Sequence, residues 1–141
     1  MKIQSLTFGE IEIKDNTIYT FDEGIPGLGE ITQFAIVDSE EMAPFAWLQA
    51  CEEPFLSLMM LDPVLIKPDY SVRFNDEHTQ LLGTFSDEDI AVRVLVVVPK
   101  NPEDMTANLL APIVLNHKLR KGAQIVVDGH RDLLRCKVIN S

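Results

Sequence analysis

Cysteine and histidine are scarce in this sequence, and neither occurs at a spacing that supports a metal site or a disulfide framework. The 141 residues include two cysteines, Cys51 and Cys136, and three histidines, His78, His117 and His130. The cysteines form no CxxC pair, and no histidine belongs to an HExxH motif. We therefore predict no metal site, no disulfide and a reducing compartment, the cytoplasm.

Long apolar runs are also lacking. The longest ones, such as residues 94–99, fall far short of the roughly 20 residues that a membrane-spanning helix needs. The first four residues are followed by alternating apolar and acidic residues, without the apolar segment of a signal peptide. These observations predict no membrane association and no secretion.

Basic residues are outnumbered almost two to one. The sequence has 12 lysines and arginines against 22 aspartates and glutamates, which gives a formal net charge of −10. Binding to nucleic acid needs a basic face that displaces counterions from phosphates, so we predict no direct contact with nucleic acid. An acidic surface fits a basic protein partner, which it attracts and orients. The alternative is that the charge only keeps the protein soluble.

Recognisable catalytic motifs are missing as well. There is no GxSxG motif and no glycine-rich phosphate loop. Cys136 lies between Arg135 and Lys137, two cations that would lower the pKa of a neighbouring thiol. Adjacent residues of a strand point to opposite faces, however, which favours a buried and inert Cys136. The paired carboxylates are typical of solvated turns. We predict no catalytic residues, no cofactor and a protein that is not an enzyme.

The apolar content, 46% of the residues, indicates one folded domain over residues 1–141. Short apolar segments, alternating or rich in β-branched and aromatic residues, are separated by acidic or proline-bearing turns and predict strands. These segments span residues 8–13, 17–21, 34–38, 45–50, 55–61, 90–99, 124–128 and 134–139.

Several of these segments carry a more specific prediction. Residues 8–13 and 17–21 are expected to pair as a hairpin, with GIPG at residues 24–27 as a fixed loop. Residues 90–99 are almost entirely apolar and predict a central strand buried on both faces. In residues 106–116, Pro112 predicts an edge strand or a bulge.

Helical content is expected to be small. Pro63 and Pro68 limit any helix between them to about a turn. Residues 75–82 predict one short helix, with Asn75 as the N-cap and Leu81 and Leu82 facing inward. Eight to ten short strands then indicate an all-β fold, a small single-domain antiparallel β-barrel-like structure with minor short helices.

The ordered set of motifs resembles the FliW family of flagellar assembly factors over nearly the whole length. The motifs are FGEIEI at residues 8–13, GIPG at 24–27, PFAWLQA at 44–50, EEPFL at 52–56, DP at 62–63, PDY at 68–70 and TANLLAPIVLN at 106–116. Two departures fall beside GIPG: FDE at residues 21–23 stands where a proline is common, and Leu28 where an aromatic residue often follows.

The resemblance implies a β-barrel-like fold and a protein that binds other proteins. Members of this family bind cytoplasmic flagellin and the carbon storage regulator CsrA, a small dimeric RNA-binding protein that represses translation of flagellin mRNA. The implied mechanism is partner exchange: flagellin occupies the factor while it accumulates, and after its export the factor captures CsrA and relieves repression. The chain is expected to be monomeric when free.

Acidic residues with adjoining aromatics are the predicted partner surface: Glu52, Glu53, Asp69 and Tyr70. The alternative is that they are turn and core residues. Asn108 either satisfies backbone groups of a turn or faces a partner. Trp47, with Pro44 and Phe45, is predicted to be a core or turn residue. Two other functions remain open, a small barrel enzyme or ligand carrier and a structural flagellar subunit that assembles with itself.

Overall fold

The computed structural model describes residues 2–129 and 131–139, which contain eleven strands and one α-helix. The strands are β1 (Lys2–Ser5), β2 (Gly9–Glu12), β3 (Ile18–Thr20), β4 (Gln33–Val37), β5 (Ala46–Ala50), β6 (Ser57–Leu61), β7 (Ile90–Val97), β8 (Thr106–Ala107), β9 (Ile113–Asn116), β10 (Lys121–Gln124) and β11 (Cys136–Lys137). The helix α1 spans Asp76–Leu82. The mostly β composition is confirmed.

Seven strands close into a barrel. Their order is β7-β6-β5-β4-β3-β10-β9, and β9 returns to pair with β7. All of these pairs are antiparallel except β3 with β10, which run parallel where Lys121 lies opposite Thr20. The predicted barrel is therefore confirmed, with one parallel pair at its closure.

The barrel interior is filled by side chains, because alternate residues of each strand point inward. Phe34, Leu48 and Met60 are almost completely buried there. A Cβ on Gly122 would lie 2.5 Å from ring carbons of Phe21, so this position has room only for glycine. The interior is a packed core without space for a small-molecule ligand.

Helix α1 covers the outside of β9 and β10. Asn75 caps it as predicted, since its side-chain oxygen accepts a hydrogen bond from the backbone N–H of His78 at 3.0 Å. Leu82 is fully buried against Val114 and Ala123, and Leu81 packs beside it. The helix prediction is therefore confirmed.

The predicted hairpin between residues 8–13 and 17–21 is wrong. Strand β2 pairs instead with β1, which had not been predicted, with Ile3 opposite Ile11. A turn of 3₁₀-helix at Asp15–Thr17 then redirects the chain into the barrel, where β3 pairs with β4 and β10. The physical reason is that Ile3 and Ile13 gain burial against Ala35 on the outside of the barrel.

Strand β7 is central, as predicted, but its two faces are not uniformly buried. It pairs with β6, β8 and β9, yet of its residues only Val94 is fully buried. Val97, its last residue, and the following Val98 are exposed. Residues 108–112, which end at Pro112, form the connection between β8 and β9. The edge-strand alternative is wrong, because β9 has partners on both sides.

The last two predicted strands are displaced. Strand β10 ends at Gln124, where the predicted strand began, although backbone N–H groups of Ile125 and Val127 still bond to the carbonyls of Pro112 and Leu110. The segment Arg131–Arg135 is 3₁₀-helical and only Cys136–Lys137 extends as a strand.

Candidate protein-binding surface

The five predicted partner-binding residues lie in two separate regions. Glu52 and Glu53 occupy the turn between β5 and β6. Asp69 and Tyr70 follow the opposite end of β6, and Asn108 lies beside them, because the Tyr70 hydroxyl donates to the carbonyl of the next residue, Leu109, at 2.7 Å. The chain therefore does not bring all five residues into one surface.

Tyr70 and Asn108 make contacts that organise their own region. Tyr70 packs against the cluster around Leu61 and Leu109, and its burial raises the pKa of the phenol to about 12. The Asn108 side-chain oxygen accepts hydrogen bonds at 3.0 Å from the backbone N–H groups of Leu110 and Ala111. Both side chains stabilise the connection that precedes β9. Their part in binding a partner stays a prediction.

Asp69 is exposed and close to a basic side chain. A hydrogen bond from Lys67, at 2.8 Å, lowers the pKa of this carboxyl. The Asp69 side chain is largely exposed and the Lys67 side chain is partly exposed, and ion pairs at the surface stabilise a protein very little. Asp69 is therefore accessible to solvent, but part of its charge is already neutralised by Lys67, and its part in binding a partner stays a prediction.

The turn that carries Glu52 and Glu53 is fastened to the β1–β2 turn. The backbone N–H of Leu6 donates to the carbonyl of Pro54 at 2.9 Å, and the Thr7 hydroxyl donates to that of Ser57 at 3.0 Å. These bonds join segments about 50 positions apart in the chain. We call the two turns together, residues 5–9 and 51–57, the tip.

The buried side chain of Gln49 joins the two turns of the tip. The side-chain oxygen of Gln49, which is fully buried, accepts hydrogen bonds from the hydroxyls of Ser5 at 2.7 Å and Ser57 at 2.6 Å. Its amide nitrogen donates to the carbonyl of Ala50 at 3.1 Å. The Ser5 hydroxyl in turn accepts from the backbone N–H groups of Thr7 and Phe8. A fully satisfied buried network of this kind rigidifies the groups that it joins.

The tip displays two large apolar side chains that sequence reasoning missed. Leu6 is 78% exposed and Phe55 is 66% exposed, the former the highest value among the exposed large hydrophobic residues of the described chain. The alternation in β1 is the signal that could have located Leu6. Ile3 and Ser5 are buried, so the next residue, Leu6, faces outward. Phe55 had been assigned to a strand, whereas the strand begins at Ser57.

Trp47 lies beside the tip and outside the barrel core. It is half-buried on the outer face of β5, and its ring contacts Phe8 edge to face at a centroid distance of 5.5 Å. The prediction that Trp47 is a core residue is therefore wrong. Pro44 lies in an exposed turn and Phe45 packs on a hydrophobic cluster, as predicted.

The surroundings of the tip are acidic. Glu52 and Glu53 belong to it, and Glu10 lies at the start of β2 just beyond it. Neither turn contains a lysine or an arginine. Lys2, farther along the β1–β2 ribbon, approaches Glu10 at 3.7 Å. The tip is thus an apolar pair bordered by carboxylates.

The histidines and Cys136 are the other residues whose side chains could take part in catalysis or metal binding. His78 completes the cap of α1, and the His117 ring is hydrogen-bonded to the Tyr19 hydroxyl. His130 lies outside the described residues. Burial raises the pKa of the Cys136 thiol, so the neighbouring cations do not activate it. Within residues 2–129 and 131–139, no three His, Cys, Asp or Glu side chains are grouped to hold a metal ion, and no helix is long and apolar enough to span a membrane.

Comparison with known proteins identifies the family. A family model described as "FliW protein" matches residues 2–138. The chain belongs to the FliW family. Its similarity to curated flagellar assembly factors covers 90 to 99% of this chain and 80 to 93% of those proteins, so this chain is a flagellar assembly factor.

Two of the FliW relatives illustrate the extent of this similarity. The flagellar assembly factor FliW of Caldanaerobacter subterraneus subsp. tengcongensis is 35% identical over 140 residues, which cover 99% of this chain and 93% of that protein. FliW of Alkaliphilus metalliredigens is 40% identical over 130 residues, which cover 92% and 80%.

A crystal structure of the flagellar assembly factor FliW has the same fold. It matches with a TM-score of 0.85 at 33% sequence identity, covering 97% of this chain and 94% of that chain. The match covers nearly the whole chain, so the FliW fold is confirmed for this chain.

Proposed function

We propose that this chain is a non-catalytic cytoplasmic protein that binds flagellin and the translational repressor CsrA. By exchanging one partner for the other, it couples translation of flagellin mRNA to flagellin export. While flagellin accumulates it occupies the chain and CsrA represses; when flagellin is exported, the chain captures CsrA and relieves repression.

The observation that carries the proposal is the acidic, apolar tip on a FliW-family barrel. A protein that binds RNA presents a basic surface, and a chain with a net charge of −10 attracts such a partner at long range. Glu52 is exposed and Glu53 is half-buried, and both adjoin apolar side chains, which is the combination found at protein interfaces. The same charge disfavours direct binding to RNA.

We assign the predicted partner-binding residues to two parts of this function. Glu52 and Glu53 contribute charge at the tip. Asp69 contributes charge at the other region, while Tyr70 and Asn108 fix the backbone that displays it. Substitutions of the last two residues must therefore be compared with their effect on stability.

The filled barrel interior favours this function over a ligand carrier. A carrier needs an enclosed cavity of a few hundred Å³ lined mainly by apolar groups, but Phe34, Leu48 and Met60 occupy the space in which it would form. An open depression of about 460 Å³ beside the β4–β5 loop is lined in part by the charged side chains of Asp38 and Arg93 and does not enclose a ligand.

Size-exclusion chromatography with light scattering tests the proposal. The pure chain is expected to elute as a monomer, and to form discrete complexes when it is mixed separately with purified flagellin and with purified CsrA. If the chain elutes unchanged in both mixtures, the proposal is wrong. Self-assembly of the pure chain would favour a structural subunit instead.

A further inference from the structure

We propose that Leu6 and Phe55 anchor a basic protein partner through an apolar segment of that partner flanked by lysine or arginine. This inference deepens the proposed function and rests on it. The tip is the proposed binding surface. Of the two proposed partners, CsrA is the one that binds there, because it is the basic RNA-binding protein.

The tip is rigid, which suits an anchor. Gln49, Ser5 and Ser57 form the buried network beneath it, and the Leu6 N–H bond to the Pro54 carbonyl locks the two turns together. Binding to turns whose backbone is already held in place loses little conformational entropy. The network therefore fixes how the two turns are presented.

The two displayed side chains offer a partner a large apolar area. Leu6 and Phe55 are 78% and 66% exposed, so covering them removes a large apolar area from water. Partly exposed Trp47 and Phe8 lie alongside and extend the apolar surface along β5. Aromatic residues near the centre of a contact are typical hot spots.

Charge selects the class of partner. Glu52 and Glu53 border the apolar pair, Glu10 follows the first turn, and neither turn carries a basic residue. In the described chain, the salt bridges include none to Glu52 or Glu53. A partner with lysine or arginine next to its apolar residues would pair with these carboxylates, whereas an acidic partner would be repelled.

Isothermal titration of purified CsrA with four forms of the chain tests the inference: the wild type, the double variant Leu6→Ser with Phe55→Ser, a Val126→Ser control and the double variant Glu52→Gln with Glu53→Gln. Val126 is 72% exposed and lies after β10, away from the tip, so the control removes a comparable apolar side chain elsewhere. Circular dichroism melts of all forms report whether each is folded, and flagellin is titrated in parallel.

We expect the serine pair at the tip to weaken CsrA binding by at least about thirtyfold and the glutamine pair by about three- to tenfold. The Val126→Ser control should bind as the wild type does. Equal affinity of the tip variants and the control would overturn the inference while leaving the proposed function in place. A wild type that binds flagellin but not CsrA would also overturn it. A wild type that binds neither would overturn the proposed function, and this inference with it.

Discussion

The Ser5 hydroxyl donates a hydrogen bond of 2.7 Å to the side-chain oxygen of Gln49, across 44 positions of the chain. This contact joins the end of β1 to the end of β5, where the two turns of the tip begin. The geometry of the candidate binding surface therefore depends on one buried amide.

Replacing Gln49 with alanine should destabilise the protein and weaken partner binding together. The change leaves the hydroxyls of Ser5 and Ser57 without their acceptor, and each buried polar group left unpaired costs about 1 to 3 kcal/mol. Denaturant unfolding should show a loss of about 2 to 5 kcal/mol when the cavity is included. Gln33→Ala, an exposed glutamine on β4, is the matched control and should stay within about 0.5 kcal/mol of the wild type. Equal stability of the two variants would contradict the role of the network.

Replacing Gly122 with alanine should destabilise the barrel by about 1 to 3 kcal/mol through overpacking. The new methyl group would lie 2.5 Å from the Phe21 ring, which is itself fully buried. Thermal unfolding measures the loss. Combining the change with Phe21→Leu should recover part of it relative to the sum of the two single variants, because leucine leaves space for the methyl. Purely additive effects would argue against contact between these positions.

Reversing two charges at the tip should slow association with CsrA without unfolding the chain. The double variant Glu52→Lys with Glu53→Lys changes the net charge by +4 relative to the wild type, and so does the control Glu103→Lys with Asp104→Lys on the exposed loop between β7 and β8. We expect the association rate, measured by surface plasmon resonance at low salt, to fall about tenfold or more for the tip variant. The control should lose distinctly less. Equal losses would mean that the net charge of the chain sets the association rate and that no local surface at the tip is involved.

Tyr70 should ionise at unusually high pH in the folded protein. Burial raises the pKa of its hydroxyl from the ordinary 10.0 to about 12, so the folded state favours the neutral phenol. This contribution to stability is complete below about pH 10 and is lost as the pH rises through 12. The chain has only two tyrosines, so a Tyr19→Phe variant isolates the phenolate absorbance of Tyr70. A midpoint near pH 10 while circular dichroism still reports a folded chain would contradict the burial of the Tyr70 hydroxyl.

Sequence reasoning was most successful where local signals were sufficient. The cap at Asn75 and the apolar pair Leu81–Leu82 located the helix, and the apolar runs around Phe34, Leu48 and Met60 located strands of the barrel. These features depend on residues that are close together in the chain, so their periodicity and capping are visible without the fold.

Sequence reasoning failed where distant segments decide the outcome. The choice of β1 as the partner of β2 depends on burial of Ile3 against Ala35, on a strand formed 32 positions later, which no local pattern reports. The tip was missed for the same reason. The sequence identifies Glu52 as a candidate, but Leu6 reaches the same tip only through long-range bonds such as that of its backbone N–H to the Pro54 carbonyl.

Competition between the two proposed partners tests the central claim most directly. A preformed complex of the chain with fluorescently labelled CsrA is titrated with purified flagellin, and fluorescence anisotropy follows the label. Partner exchange predicts that flagellin releases free CsrA, which then regains binding to flagellin mRNA in the same mixture. Anisotropy that stays constant while flagellin is added in excess, or failure of the chain to bind either protein, would contradict partner exchange.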